Sequence, residues 1–247
     1  MPADAQVILA QLRCVGVERE RRAAAPALAQ AVQRVKHYQQ RRFSHTYADL
    51  LGSERYGGAA RFFLEDLYGP RDFTERDEQV ARVVPGLVRL FTQEIVETVY
   101  TLARLHALSE QLDSAMGSLL IDTQISASRY IRAWQRTGDA PTRERQITLT
   151  LEVGVSLDRL TRKPLLRHSL HLMRGPSRAA GLAELQRFLE RGFDTFRAMH
   201  GAQQFLDLVG ARERALASAL FDAPMPAEGD AEETSDPRVA KALGQLP

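Results

Sequence analysis

The sequence predicts an all-α protein, a bundle of about seven to nine helices around one long central helix, followed by a disordered acidic tail. Three observations carry this. Apolar residues recur every three or four positions through most of the chain from Ala24 to Phe221, the spacing of helices with one buried face. The runs are separated by helix punctuation: Gly57-Gly58, Gly69-Pro70, Gly138 with Pro141, Gly175-Pro176 and Gly201. Only Gln146 to Leu160 alternates with a strand period, and it lacks a convincing strand to pair with.

Taken in order, residues 1–23 form an N-terminal segment. Val7 to Val17 is short and apolar, and the charges from Glu18 to Arg22 follow it. It reads as a docking or flexible segment, or a frayed helix. Residues 24–221 read as a single helical domain. Ala24 to Arg42 is rich in good helix formers, with Leu28, Val32 and Val35 on its stripe. Ala59 to Tyr68 is a short helix that Gly69 and Pro70 stop. Thr74 with Asp77 resembles a capping box and restarts the helix.

The longest periodic run is Val84 to Met116, with Leu87, Phe91, Ile95, Thr98, Leu102, Leu105, Leu112 and Met116 in register. At about 30 residues it would span roughly 45 Å. Pro85 begins or kinks it. A helix from about Asp122 to Arg136 follows, carrying Tyr130, Ile131 and Trp134. Gln146 to Leu160 is assigned to a helix buried on several sides, with a hairpin-like insertion as the alternative. Leu165 to Met173 comes next, and Gly175-Pro176 ends it. Ser177 to Met199 is amphipathic, with Leu182, Leu185, Phe188, Leu189, Phe196 and Met199 on one face. Ala202 to Phe221 is the last expected helix. Residues 222–247 are polar, acidic and proline-containing, too poor in apolar surface to offset their ordering entropy.

Composition bounds the function classes. Hydrophobic content of 44% and charged content of 26% belong to ordinary globular chains. The net charge of +2 hides an asymmetry: from Asp222 onward six acids face two bases, so the body carries +6. That surplus gives only weak support to nucleic-acid binding. All but three of the 33 basic residues are arginine. The one cysteine, Cys14, fits a reducing cytoplasm and allows no intramolecular disulfide. The N-terminus does not read as a signal peptide, and no apolar stretch approaches the ~20 residues that span a bilayer.

The stretches FFLEDLYGPRDFTERD, RRFSHTYADLL and LMRGPSRAAGLAELQRFLERGFDTFRAM set this chain apart. With them it resembles a group of uncharacterised bacterial proteins over Arg41 to Phe221. That resemblance implies no activity, so the residues themselves must indicate chemistry.

On a helical wheel, His106, Ser109 and Asp113 form a strip beside the core face of the long helix, with Glu110 near its edge. A buried polar strip is first a structural network, since such groups must be hydrogen-bonded. His106 and Glu110, spaced i, i+4, are also candidate metal ligands, although no second such pair lies on a buried face. A Ser-His-Asp catalytic set is disfavoured because Ser109 sits on no tight turn and no Gly-x-Ser-x-Gly is present. Arg71 at the Gly69-Pro70 junction, with Arg174 and Arg178 around Gly175-Pro176, are candidate anion contacts. His168 and His171 read as a solvated face.

The function ranked first is a non-catalytic helical binding or interaction protein, with a protein or small-molecule partner, a homodimer among the options, and no cofactor or membrane. A metal-dependent enzyme near His106 and Glu110 ranks second. Nucleic-acid binding through arginine-rich faces at Arg21-Arg22, Arg41-Arg42 and Arg167 to Arg178 ranks third.

Overall fold

A computed structural model describes residues 3–67, 69–224 and 236–247. In chain order its helices are α1 (Ala5–Ala23), α2 (Pro26–Thr46), α3 (Ala48–Gly52) and α4 (Gly57–Phe62), then a π-helical turn (Phe63–Leu67). They continue with α5 (Thr74–Leu90), α6 (Gln93–Leu119), α7 (Ala127–Thr137) and α8 (Ala140–Thr161). The last are α9 (Pro164–Leu172), α10 (Arg174–Ala179), α11 (Ala183–Ala198), α12 (Gln203–Asp222) and α13 (Pro237–Leu243). No strand occurs among the described residues. Eight of these helices have eleven residues or more and form the bundle; the others are short connectors and caps.

Helix α6 is the centre of the bundle. It packs against α1, α2, α5, α7 and α8. Within it only Gln93, Gln111 and Leu119 are exposed. A helix with neighbours on nearly every side cannot keep a single apolar stripe, which is why polar residues on it must find partners inside the protein. Close approach is built in at Gly117, where an added Cβ would stand 2.5 Å from Val32 Cγ2 on α2.

The long helix expected from Val84 to Met116 is two helices. The chain is extended at Phe91 and Thr92, α5 ends at Leu90 and α6 starts at Gln93. Phe91, expected at the centre of the buried face, is 50% exposed because it lies in this break. Pro85 sits inside α5 without ending it. The Thr74–Asp77 capping box does not form: Asp72 accepts from the Thr74 backbone N–H at 2.9 Å, and Asp77 turns inward.

The strand-like segment is helix α8. Leu149, Val153 and Leu160 are buried at helical spacing, and Gly154 lets Leu206 of α12 approach from a second side. The alternation reflected two buried faces on one helix. Gly175-Pro176 does not end a helix; Pro176 lies in the first turn of α10, where its missing N–H is harmless. Met173 and Leu189, expected inward, are 49% and 41% exposed.

The N-terminal segment 1–23 contains α1, which packs on α6 and α5 with Ile8 and Val15 buried. The disorder expected over 222–247 does not extend to its C-terminal end, which is helical. Asp236 caps α13 by accepting from the Arg238 N–H, Pro237 opens the helix, and Val239, Ala242 and Leu246 join the core of α2, α6, α7 and α12. Residues 225–235 of that tail lie outside the described residues. No helix among the described residues is long and apolar enough to cross a membrane.

Candidate functional site

The four polar residues predicted on α6 are all turned into the protein, where they are held from four other helices. His106 Nε2 lies 2.7 Å from Asp77 Oδ2 on α5. An ionised carboxylate only accepts, so that ring nitrogen carries the proton. Arg19 and Arg76 also reach Asp77, at 2.5 and 3.3 Å. Burial alone would push the Asp77 carboxyl up, but the hydrogen bond and charge of His106, with Arg76 and Arg19, carry it well below the usual carboxylate range.

Ser109 Oγ accepts from Gln146 Nε2 of α8 at 2.9 Å. Glu110 is 5% exposed, and both its oxygens are occupied, by Lys36 Nζ of α2 at 2.6 Å and by Arg22 of α1. Burial opposes the Glu110 charge, but Lys36 and Arg22 outweigh it and bring the carboxyl down to about 2. Asp113 Oδ1 accepts from Gln39 Nε2 of α2 at 3.1 Å, and Lys36 Nζ stands 3.9 Å from its other oxygen. Burial, reinforced by the Glu110 charge, pushes the Asp113 carboxyl up despite Lys36, Gln39 and Arg143. The strip is therefore not one internal network. It ties α6 to α1, α2, α5 and α8.

The same four residues line a cavity of about 110 Å³ between α2, α6, α7, α8 and α12. The π-helical turn contributes Phe63, Leu64 and Leu67 to its wall; such turns often mark functional sites. The charged wall adds Lys36, Arg42, Arg143 and Glu213, and the aromatic wall adds Phe43, Tyr130 and Trp134. Arg42 pairs with Glu213, which also accepts from Tyr47 Oη at 2.6 Å. Tyr130 stacks on Tyr38 with ring centroids 4.6 Å apart, so its hydroxyl is held in place. That hydroxyl is fully buried and has no hydrogen-bond partner. Trp134 Nε1 and Arg143 Nε are also buried without one.

His106, Ser109 and Leu67 also line a second, smaller cavity of about 60 Å³, whose other walls include Leu12, Val80, Leu102 and Phe188. A wider recess at Asp158, Arg162 and His200 is polar, but Asp158 is already taken by Arg162 at 2.6 Å and by the Ala202 N–H at 3.0 Å.

Residues 18–226 match a family described as a domain of unknown function, DUF8198. The chain belongs to this family. The DUF8198 match takes in every wall of the cavity, together with Arg19 and Arg22, and stops short of α13. No curated protein and no solved structure matches the chain.

The other predicted site residues fall elsewhere on the DUF8198 fold. His106 and Glu110 are drawn to different partners, Asp77 on one side and Lys36 with Arg22 on the other. Among the described residues no three His, Cys, Asp or Glu side chains are grouped so as to hold a metal ion. Arg71 and Arg178 are exposed and line none of these cavities. Arg174 pairs with Glu190 at 2.6 Å. His168 and His171 are exposed, as expected.

Lys36, Arg42, Tyr130, Trp134, Arg143 and Glu213 were not foreseen as site residues. Lys36 carried a signal: it lies four residues after Val32, within the apolar stripe of α2, in a chain with only three lysines. Arg42 and Arg143 carried none, because an arginine-rich sequence gives no sign of which guanidinium turns inward.

Proposed function

We propose that this protein is a non-catalytic helical binding protein, and that the cavity beside the C-terminal half of α6 is its small-molecule site. The observation that supports this best is the Tyr130 hydroxyl. A buried hydroxyl without a partner costs about 1–3 kcal/mol, and native structures retain few of them. One standing in the wall of a cavity, among Arg42, Arg143, Asp113 and Glu213, is what a polar atom of a ligand would satisfy. The non-catalytic part of the reading rests on the separation of the polar groups. Ser109 bonds Gln146 and His106 bonds Asp77, so the hydroxyl and the imidazole on α6 do not meet.

The nucleic-acid reading has less support. Of the arginines it invokes, Arg22 and Arg42 turn inward to Glu110 and Glu213, and Arg167 and Arg174 pair with Asp194 and Glu190.

Trp134 is the only tryptophan and stands in the cavity wall, so its fluorescence reports the site. A panel of small anions, cations and neutral molecules is expected to include at least one class that shifts its emission saturably. The Ile147→Phe variant places a larger side chain in the same wall and is expected to abolish that shift. If no class shifts the emission, or if Ile147→Phe responds as the wild type does, the cavity is not a binding site.

A further inference from the structure

We propose that the ligand of this cavity is a small monocarboxylate, held by the Arg143 guanidinium and the Tyr130 hydroxyl; this rests on the cavity being the binding site. Arg143 is 2% exposed. Among the described residues no carboxylate lies within ion-pair distance of it. Its own bonds are long: to Gln146 Oε1 at 3.3 Å and to Met116 Sδ at 3.7 Å, while Nε has no partner. A guanidinium has five N–H donors, so most of its donor capacity is unused. Its guanidinium carbon lies over the Trp134 ring, 3.6 Å from the centroid. An isolated buried charge is strongly unfavourable unless paired. Burial pushes the Arg143 pKa down, the change an anion beside it would reverse.

The local charge balance indicates how much negative charge is missing. Around the cavity Arg22 and Lys36 share Glu110, and Arg42 takes Glu213. Asp113 has Lys36 and Gln39. In the wall Lys36, Arg42 and Arg143 face Glu110, Asp113 and Glu213, and Arg22 behind the wall makes four cations against three carboxylates. One positive charge is left over, and Arg143 is the cation with no carboxylate in ion-pair contact, Asp113 acting on it only at longer range. A monoanion balances it. A dianion such as hydrogen phosphate would overshoot, and an ammonium ion would find the wall carboxylates Glu110, Asp113 and Glu213 already bonded by Lys36, Arg22, Gln39 and Arg42.

Size and surface complete the match. At about 110 Å³ the cavity is smaller than the ~150 Å³ that holds benzene. A carboxylate with a chain of a few carbons fits, its apolar part against Phe43, Ile147 and Leu151. The Tyr130 hydroxyl, buried in the same wall without a partner, would donate to the second carboxylate oxygen.

Calorimetric titration of the full chain with sodium propionate, sodium phosphate, propylammonium chloride and 1-propanol tests this. Propionate is expected to bind saturably at one site. Arg143→Met should weaken it at least about tenfold and Tyr130→Phe several-fold, the loss of an ion pair with its hydrogen bonds and of a single hydrogen bond to the carboxylate respectively. Tyr130→Phe removes a hydroxyl that bonds nothing in the protein, so it keeps the test decisive if Arg143→Met does not fold. Tighter binding of propanol, propylammonium or phosphate than of propionate would overturn the monocarboxylate assignment and leave the binding site standing. So would propionate binding untouched by both variants but lost in Ile147→Phe. Silence from all four probes would overturn the site as well.

Discussion

Glu110→Gln tests whether the polar strip of α6 holds the bundle together. The substitution keeps the shape of the side chain and removes its charge. It leaves the Lys36 and Arg22 side chains, 13% and 11% exposed, with only Asp113 nearby, 3.9 Å from Lys36. Two routes give the magnitude. Folding lowers the Glu110 carboxyl from 4.5 to about 2, which is worth about 3 kcal/mol at neutral pH. Removing one partner of a buried ion pair typically costs about 3–5 kcal/mol. A loss of about 3 kcal/mol is therefore expected at pH 7. The sign follows from the depressed folded value. The stabilisation is fully present above the unfolded value of 4.5 and is lost as pH falls toward about 2. At about pH 3 the gap between wild type and variant should shrink to roughly half. Urea unfolding followed by far-UV circular dichroism at the two pH values measures both quantities. A loss below about 1 kcal/mol, or a gap that does not change with pH, would refute the assignment of Glu110 as a buried tie between α1, α2 and α6.

His106→Ala removes the Asp77 hydrogen bond and is expected to cost about 1–3 kcal/mol, seen as a fall of several degrees in Tm; an unchanged melt would mean the α5–α6 contact contributes nothing. Gly117→Ala forces a methyl against Val32, whose backbone N would lie 3.2 Å from it. Overpacking of about 1–3 kcal/mol should exceed the gain of up to ~1 kcal/mol in helix propensity, so urea unfolding should show a net loss. Tyr130→Phe and Tyr47→Phe should differ in the same assay. The first removes a hydroxyl with no partner and should be neutral or stabilising, whereas the second breaks the 2.6 Å bond to Glu213 and should cost about 1–2 kcal/mol. Equal losses would contradict the assignment of the Tyr130 hydroxyl to the ligand.

The helical architecture was legible because packing against neighbours imposes a period on the sequence. The break at Phe91 and Thr92 was not, because Phe91 keeps the period and neither glycine nor proline marks the site. The readable signal there was weaker: Thr92 in the N-cap position with Glu94 in the first turn. Helix α13 was hidden by the acidic residues before it. Yet Asp236-Pro237 is an N-cap followed by a proline at the first helical position, and Val239, Ala242 and Leu246 keep a helical spacing. The wheel brought His106, Ser109 and Asp113 to one side of α6 and left Glu110 at its edge. It could not show that their partners come from four other helices, because a wheel describes one helix and contains no tertiary contacts. For the same reason nothing in the sequence set Arg143 or Tyr130 apart from their neighbours. What singles them out is a buried polar atom without a hydrogen-bond partner, and that is a property of the folded chain.

Ligand-dependent stability tests the cavity site most directly. Urea unfolding would be compared with and without sodium propionate at about a hundred times its dissociation constant, in the wild type and in Ile147→Phe. A ligand bound only to the folded state at that level should add about 2.7 kcal/mol to the wild type and nothing to the variant whose cavity is filled. An equal gain in both proteins, or no gain in the wild type, would contradict a monocarboxylate site beside α6.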